Sequence, residues 1–344
     1  VDSAGERLLS WVADVIAGND RPLGHVDDEF ARYVRAARLD ALAVAHGAAH
    51  PSFADGQRRA FASALAIERA SANVVALLAD DGIPSVTLKG PALGARYWGD
   101  AALRSSTDVD VLVSPHDAER ARLLLVRSGF LMGTTYPEWY LRWLHFHVEL
   151  HRRQPPAVVE LHWNVVRPAV GRVPVERIIA TAEQVNCGAS VLPAPRPSWQ
   201  LVTGAVHAIQ HQLGLRTLVD LSFVARRLRR EDWEEAVAEA EAAGLGPLVY
   251  YAVAETAGRL RWRAPASLER LRPGPLRDAA VRAFLARLPR LGGWTRAQDR
   301  TWRLLMPVLA DSGWRWLTAL PLTVVDRPRV MAWLARQARR QGQP

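Results

Sequence analysis

Two acids placed one residue apart inside an apolar run limit this chain more than any other feature: Thr107-Asp108-Val109-Asp110-Val111-Leu112-Val113. In an extended strand alternate side chains point to opposite faces, so Asp108 and Asp110 share one face while Val109 and Val111 point the other way. Two like charges on one face repel unless something positive lies between them. A divalent metal carrying a phosphate meets that need. The chain must therefore bury one face of this strand and keep the other for polar chemistry.

The residues just upstream fit the same purpose. Residues 83–88 read as a short buried strand, with Pro84 at its start. Lys89-Gly90-Pro91 then turns the chain into a helix over 91–98, with proline at its first position. The free amides after Gly90 make that helix start a phosphate site. Lys89 is the sole lysine; every other basic position of this kind is arginine. Lysine is a compact point charge and arginine a planar fork, so a phosphate-binding role explains the choice, with chance survival of one lysine as the plain alternative. A loop with Arg104-Ser105-Ser106 leads into the acidic strand, and 116–128 reads as an amphipathic helix closed by Gly129.

A second informative place follows. Residues 144–151 alternate strictly, and so do 157–163, joined by 152–156. His145, His147, Glu149 and His151 share one face of the first strand, and Glu160 and His162 share a face of the second. An antiparallel hairpin brings these faces side by side. Such a face suits a transition metal, an acceptor pocket with His147 or His162 as a base, or simply a polar sheet surface beside the acidic pair.

Helical periodicity fills the rest. Three helices are expected before residue 80, the third over 57–80, as a brace without chemistry of its own. From Ser198 the pattern is helical again, over 199–213, 216–229, 232–243 and 247–261, then beyond a Pro/Arg-rich connector at 265–275 to a basic last helix at 329–340. The expected division is 1–80, 81–195 and 196–344. His207 and His211 lie one turn apart and read as a packing pair or a metal pair. Arg216 and Asp220 have the spacing of a salt bridge. Tryptophans 294, 302, 314, 316 and 333, interleaved with arginine, suit helix packing better than nucleic-acid stacking.

Charge and cysteine content narrow the function classes. The net charge of +9 over 344 residues suits a polyanionic partner such as a nucleotide, although a codon bias toward arginine explains part of it. The single cysteine, Cys187, excludes a disulfide framework and a four-cysteine zinc site and is expected to be inert. No signal-peptide pattern opens the chain, and no apolar run is expected to reach the roughly 20 residues that span a bilayer, so the expected location is the cytoplasm with no transmembrane segment.

The order strand, glycine turn, helix, Asp-x-Asp strand and later carboxylate strand resembles the DNA polymerase β-like nucleotidyltransferase superfamily. Leu88-Lys89-Gly90, then Arg104 through Val113, then Val159-Glu160-Leu161-His162-Trp163 is similar to its uncharacterised bacterial branch of nucleotidyltransferase family proteins, and 207–220 resembles the helical half of that branch. The resemblance covers roughly 60–240. It implies an α/β (α+β) fold: a nucleotidyltransferase core with a small mixed sheet, flanked by N-terminal helices and a large C-terminal helical domain. It further implies Asp108, Asp110 and Glu160 as catalytic, metal-binding carboxylates for Mg²⁺ or Mn²⁺. Lys89, Gly90, Arg104 and Ser106 become the nucleotide- and phosphate-binding residues, and His147, Glu149 and His162 the candidate acceptor pocket. Lys89-Gly90 stands where the superfamily has Gly-Ser, at a longer spacing from the acids. The expected reaction moves a nucleoside monophosphate from an NTP to a hydroxyl or phosphate of a small molecule or peptide. Its rivals are glycosyl transfer from a sugar nucleotide, which also uses Asp-x-Asp with a metal, and a non-catalytic nucleotide-binding module.

Overall fold

The alternation read at the acidic run becomes a strand buried on both faces, each face meeting a different core. The structure, a computed structural model, describes residues 3–19, 22–133, 145–167, 170–287, 302 and 309. Its N-terminal part holds α1 (Ser3–Ala17), the paired two-residue strands β1 (Gly24–His25) and β2 (Ala48–Ala49), α2 (Asp28–Ala36), α3 (Asp40–Ala45) and α4 (Pro51–Asp80). Then come β3 (Ser85–Thr87), a short α5 (Pro91–Leu93) that widens into a π turn over Gly94–Trp98, β4 (Val109–Val113), α6 (Ala118–Arg127), β5 (Leu131–Met132), β6 (His147–Arg153) and β7 (Pro156–His162). A helix α7 (Val175–Ala180) and a hairpin of β8 (Glu183–Cys187) and β9 (Ser190–Ala194) lead into α8 (Pro197–Gln210), α9 (Leu215–Arg227), α10 (Arg230–Ala243), α11 (Gly246–Arg259) and α12 (Pro275–Leu285).

The central sheet has five strands in the order β3-β4-β7-β6-β5. Only β4 and β7 run parallel; the other neighbours are antiparallel, so the sheet is mixed. Alternation sorts its side chains cleanly. Val109, Val111 and Val113 of β4, Ala157, Val159 and Leu161 of β7, and Val148 and Leu150 of β6 join one core with Ile67, Val74 and Leu78 of α4 and Ala121 and Leu125 of α6. The odd side chains out, Asp110, Glu160, His162, His147 and Glu149, face the other way. Leu112, on that second face, belongs to a larger core with Leu8, Phe30, Trp98, Trp199, Leu218 and Tyr250. The N-terminal and C-terminal helices thus pack into one continuous apolar interior. The mixed sheet among many helices is the α+β arrangement that the sequence led us to expect.

Several boundaries differ from the expected ones for local reasons. The third long helix begins at Pro51 rather than residue 57, because proline fits its first turn and the His50 imidazole accepts from the Ser52 amide. The acidic strand begins at Val109, where its ladder with β7 begins, so Asp108 stands at the strand's entrance. The helix expected at 91–98 is one α turn followed by the π turn. In an 18-residue window, α4 is also long and apolar enough to cross a bilayer, contrary to the expectation that no such run exists. Here it lays its apolar stripe on the sheet, and its buried Glu68 accepts from the Ala189 amide at 3.0 Å. Tryptophans 294, 314, 316 and 333, the expected helix at 329–340 and Leu144 lie outside the described residues. Trp302 is buried, and its indole donates to the Ile209 carbonyl. Cys187 is buried and free, its thiol pushed up by burial to about 11, in keeping with an inert role.

Candidate active site

Strand register builds the site. Asp110 lies opposite Glu160 across the parallel β4–β7 pair, and Glu160 lies opposite Glu149 across the antiparallel β7–β6 pair. The next row places Leu112 beside His162 and His162 beside His147. One sheet face therefore carries a row of three carboxylates flanked by histidines. The hairpin expected from sequence forms with its polar faces side by side, and the His147 and His162 rings stack 4.9 Å apart. His151 Nε2 meets Glu149 Oε1 at 2.6 Å, and the His147 amide donates to His145 Nδ1 at 3.3 Å.

Among the described residues one group has metal-ligand spacing: a ligand atom each from Asp110, Glu160 and His162, all within 4.8 Å of one another. His162 Nε2 lies 3.3 Å from Asp110 Oδ1 and 3.3 Å from Glu160 Oε2. Its other ring nitrogen, Nδ1, is buried with no hydrogen-bond partner. Burial alone would lower the imidazole pKa, but hydrogen bonds to Asp110 and Glu160 outweigh that and raise it. The donor set fits a divalent cation. Carboxylate oxygens suit hard divalent cations, and an imidazole nitrogen also suits transition metals. Asp108 lies outside this close group. Burial and the Asp110 charge raise its carboxyl pKa.

Lys89 reaches into the same group. Its ammonium sits 2.8 Å from Asp110 Oδ1. Burial would favour the neutral amine, but Asp110 and Glu160 overcome it and raise the lysine pKa. Asp110, only 4% exposed, feels the reciprocal effect. Burial would raise its pKa, while Lys89 and His162 hold it well below the usual carboxylate range. Lys89 is placed by the turn before it: the Leu88 amide donates to the Asp110 carbonyl, extending the β3–β4 ladder, and the Gln200 side chain donates to the Leu88 carbonyl at 3.0 Å. Gly90 follows at φ 70°, ψ −142°.

Two residues from the helical half complete this constellation. Lys89 Nζ also lies 3.4 Å from His207 Nδ1. An ammonium only donates, so that nitrogen is the acceptor and the ring is neutral. Burial, then the Lys89 charge, pushes the His207 pKa well below its ordinary value. The His207 and His211 rings pack 4.1 Å apart, as the packing-pair reading expected. Asp220 pairs with Arg216, as its spacing suggested, at 3.8 Å, but its main partner is Arg104. Arg104 donates through Nε and Nη2 to the two Asp220 oxygens at 2.8 and 2.9 Å, and through Nη1 to Ser106 Oγ at 2.8 Å. The Trp98 indole donates to Asp220 Oδ1 at 3.0 Å. Arg104 and Ser106 are thus buried and bonded to each other, and Arg104 to Asp220, in the loop that leads to Asp108. The spacing of His207 and Asp220 was visible in the sequence, but nothing there linked either one to a lysine or arginine more than 100 positions away.

A cavity of about 40 Å³ lies behind Lys89 and His162, lined also by Gln200, Thr203, His207 and Asp220. It has room for roughly three waters; on the open side Asp108 and Glu160 are partly accessible and Glu149 is exposed.

A family model described as uncharacterised nucleotidyltransferase matches residues 27–260, about two thirds of the chain. No curated protein matches the sequence.

Proposed function

The chain belongs to the uncharacterised nucleotidyltransferase family, and from that premise we propose that it transfers a nucleoside monophosphate from an NTP to a hydroxyl or phosphate of a small-molecule or peptide acceptor, with Mg²⁺ or Mn²⁺. The observation that carries this reading is the pairing of Asp110 with Glu160 on adjacent parallel strands, with His162 completing a group of ligand atoms within 4.8 Å. Asp110 and Glu160 would hold the cations, with Asp108 at the open edge. When bound, divalent cations offset phosphate charge and favour the ionised acceptor oxygen. Lys89 turns its ammonium toward the phosphate oxygens as charge builds on them. His207, neutral, accepts from the lysine ammonium and helps to hold it in place. His147 and Glu149, on the neighbouring strand, line the side from which the acceptor enters. The acceptor oxygen bonds to the α-phosphorus, the bond to pyrophosphate breaks, and the hydroxyl proton passes to water on the open side.

A thermal-shift panel of NTPs and sugar nucleotides, each with and without Mn²⁺ or Mg²⁺, tests this. NTPs are expected to stabilise the protein only with metal, and Asp110→Asn to abolish that gain while the unliganded protein still melts cooperatively. Stabilisation by sugar nucleotides but not by NTPs would replace nucleotidyl with glycosyl transfer. Unchanged nucleotide binding by Asp110→Asn would remove the carboxylate site altogether.

A further inference from the structure

The basic groups at the base of the site are already engaged. Lys89 faces Asp110, Arg104 grips Asp220, and the Arg216 guanidinium, stacked 4.8 Å from the Trp98 ring, donates to the Ser105 carbonyl at 2.7 Å and the Arg38 carbonyl at 3.0 Å. Arg38 differs. Its side chain is exposed and makes no ion pair among the described residues. Among the described residues its one side-chain hydrogen-bond contact is long, Nη1 to Thr107 Oγ1 at 3.5 Å, and Thr107 Oγ1 lies 3.5 Å from Asp108 Oδ1. An exposed guanidinium thus stands beside the entrance of the acidic strand, delivered by the N-terminal helices.

The backbone beneath it is costly for an arginine. Arg38 follows the last turn of α2 at φ 54°, in the left-handed region. Its amide donates to the Arg35 carbonyl and the Leu39 amide to the Val34 carbonyl, the pair of bonds that closes a helix around a left-handed residue. Glycine is the residue favoured at that position. The carbonyl of Arg38 and that of Ser105 are held by the same Arg216 guanidinium, so the turn and the loop before Asp108 are fixed relative to each other.

We propose that Arg38 is a substrate-binding residue that takes the anionic polyphosphate of the incoming nucleotide at the rim of the site. The assignment rests on the nucleotidyl-transfer reading: Lys89 shares its charge with Asp110 and Arg104 is paired with Asp220, so a triphosphate meeting Lys89 needs a further cation, which Arg38 supplies. A guanidinium fork suits two phosphate oxygens at once, and its exposure lets it release the product pyrophosphate.

The test compares the wild-type protein with Arg38→Gly and Arg38→Lys, measuring ATP affinity with Mn²⁺ by calorimetry and melting without ligand. Arg38→Gly is expected to bind ATP about ten-fold more weakly. Its unliganded melting temperature should hold or rise, since glycine relieves the left-handed backbone. Arg38→Lys, which keeps the charge and loses the fork, should fall between. A merely structural arginine would lower melting in Arg38→Gly and leave affinity alone. Equal ATP affinity in Arg38→Gly and wild type overturns the assignment while leaving the proposed function standing. Absence of metal-dependent ATP binding by the wild type overturns both.

Discussion

Asp220 is a carboxylate at 6% exposure, and a charge at that depth is tolerable only when donors surround it. Burial raises its pKa, but Arg104 and Arg216, with the Trp98 indole, bring it below the ordinary value. A depressed carboxyl pKa contributes stability that is fully present above the unfolded value of about 3.9 and is lost as pH falls through the folded value. Asp220→Ala should therefore cost about 3–5 kcal/mol near neutral pH, because it leaves the Arg104 charge buried and unpaired. It should also flatten the acid side of the stability profile. Urea denaturation across the acid range checks both, and a variant as acid-sensitive as the wild type would show that Asp220 is not the titrating group. The residues that sequence could nominate were Asp108 and Asp110 by alternation, Glu160 by the family resemblance and Lys89 by being alone. The Lys89–Asp110 and Arg104–Asp220 pairs were not legible. Each depends on which surfaces meet in three dimensions, and arginine is too common in this chain for Arg104 to stand out.

At the scale of elements, the turn from β3 into α5 aims the lysine. Gly90, at φ 70° and ψ −142°, occupies a conformation that only glycine adopts readily. A β-carbon there would meet nothing within 4 Å, so any loss on substitution comes from the backbone and not from a clash. Gly90→Ala is expected to cost about 1–3 kcal/mol and to shift the lysine away from Asp110. Melting measures the first effect and Mn²⁺-dependent ATP binding the second; full stability with full binding would show that the turn is not needed in this shape. The β6–β7 hairpin and its polar face were readable because period-two alternation leaves one choice of face, but its strands run over His147–Arg153 and Pro156–His162, so the expected connection at 152–156 is largely paired strand. The parallel pairing of β7 with β4 was not readable, because the two strands are separated by β5 and β6 and joined by nothing local. It is that pairing that puts Glu160 beside Asp110.

For the whole molecule, the two cores make different demands. The smaller one closes the sheet against α4 and α6, while the larger one runs from α1 to the C-terminal helices and includes both Leu8 and Tyr250. Leu8 is fully buried there. Leu8→Ala should lower stability by about 2–5 kcal/mol. If the helices at both ends share one interior, circular dichroism and tryptophan fluorescence should report the same single transition in that variant; an early separate loss of the N-terminal helices would contradict it. The helical content of both flanks was plain from periodicity. That they converge on one another was not, since amphipathic stripes do not name their partners.

The lone lysine has a further use that follows from chemistry alone. Lys89 carries the chain's one ε-amine, and that amine touches both the carboxylate Asp110 and the imidazole of His207. Isotope-labelled methyl groups placed on lysine amines by reductive methylation would give a single side-chain resonance, with no other lysine to assign or subtract. Its chemical shift would respond to any change at Asp110 or His207, so the protein carries a built-in spectroscopic probe beside its buried carboxylate cluster.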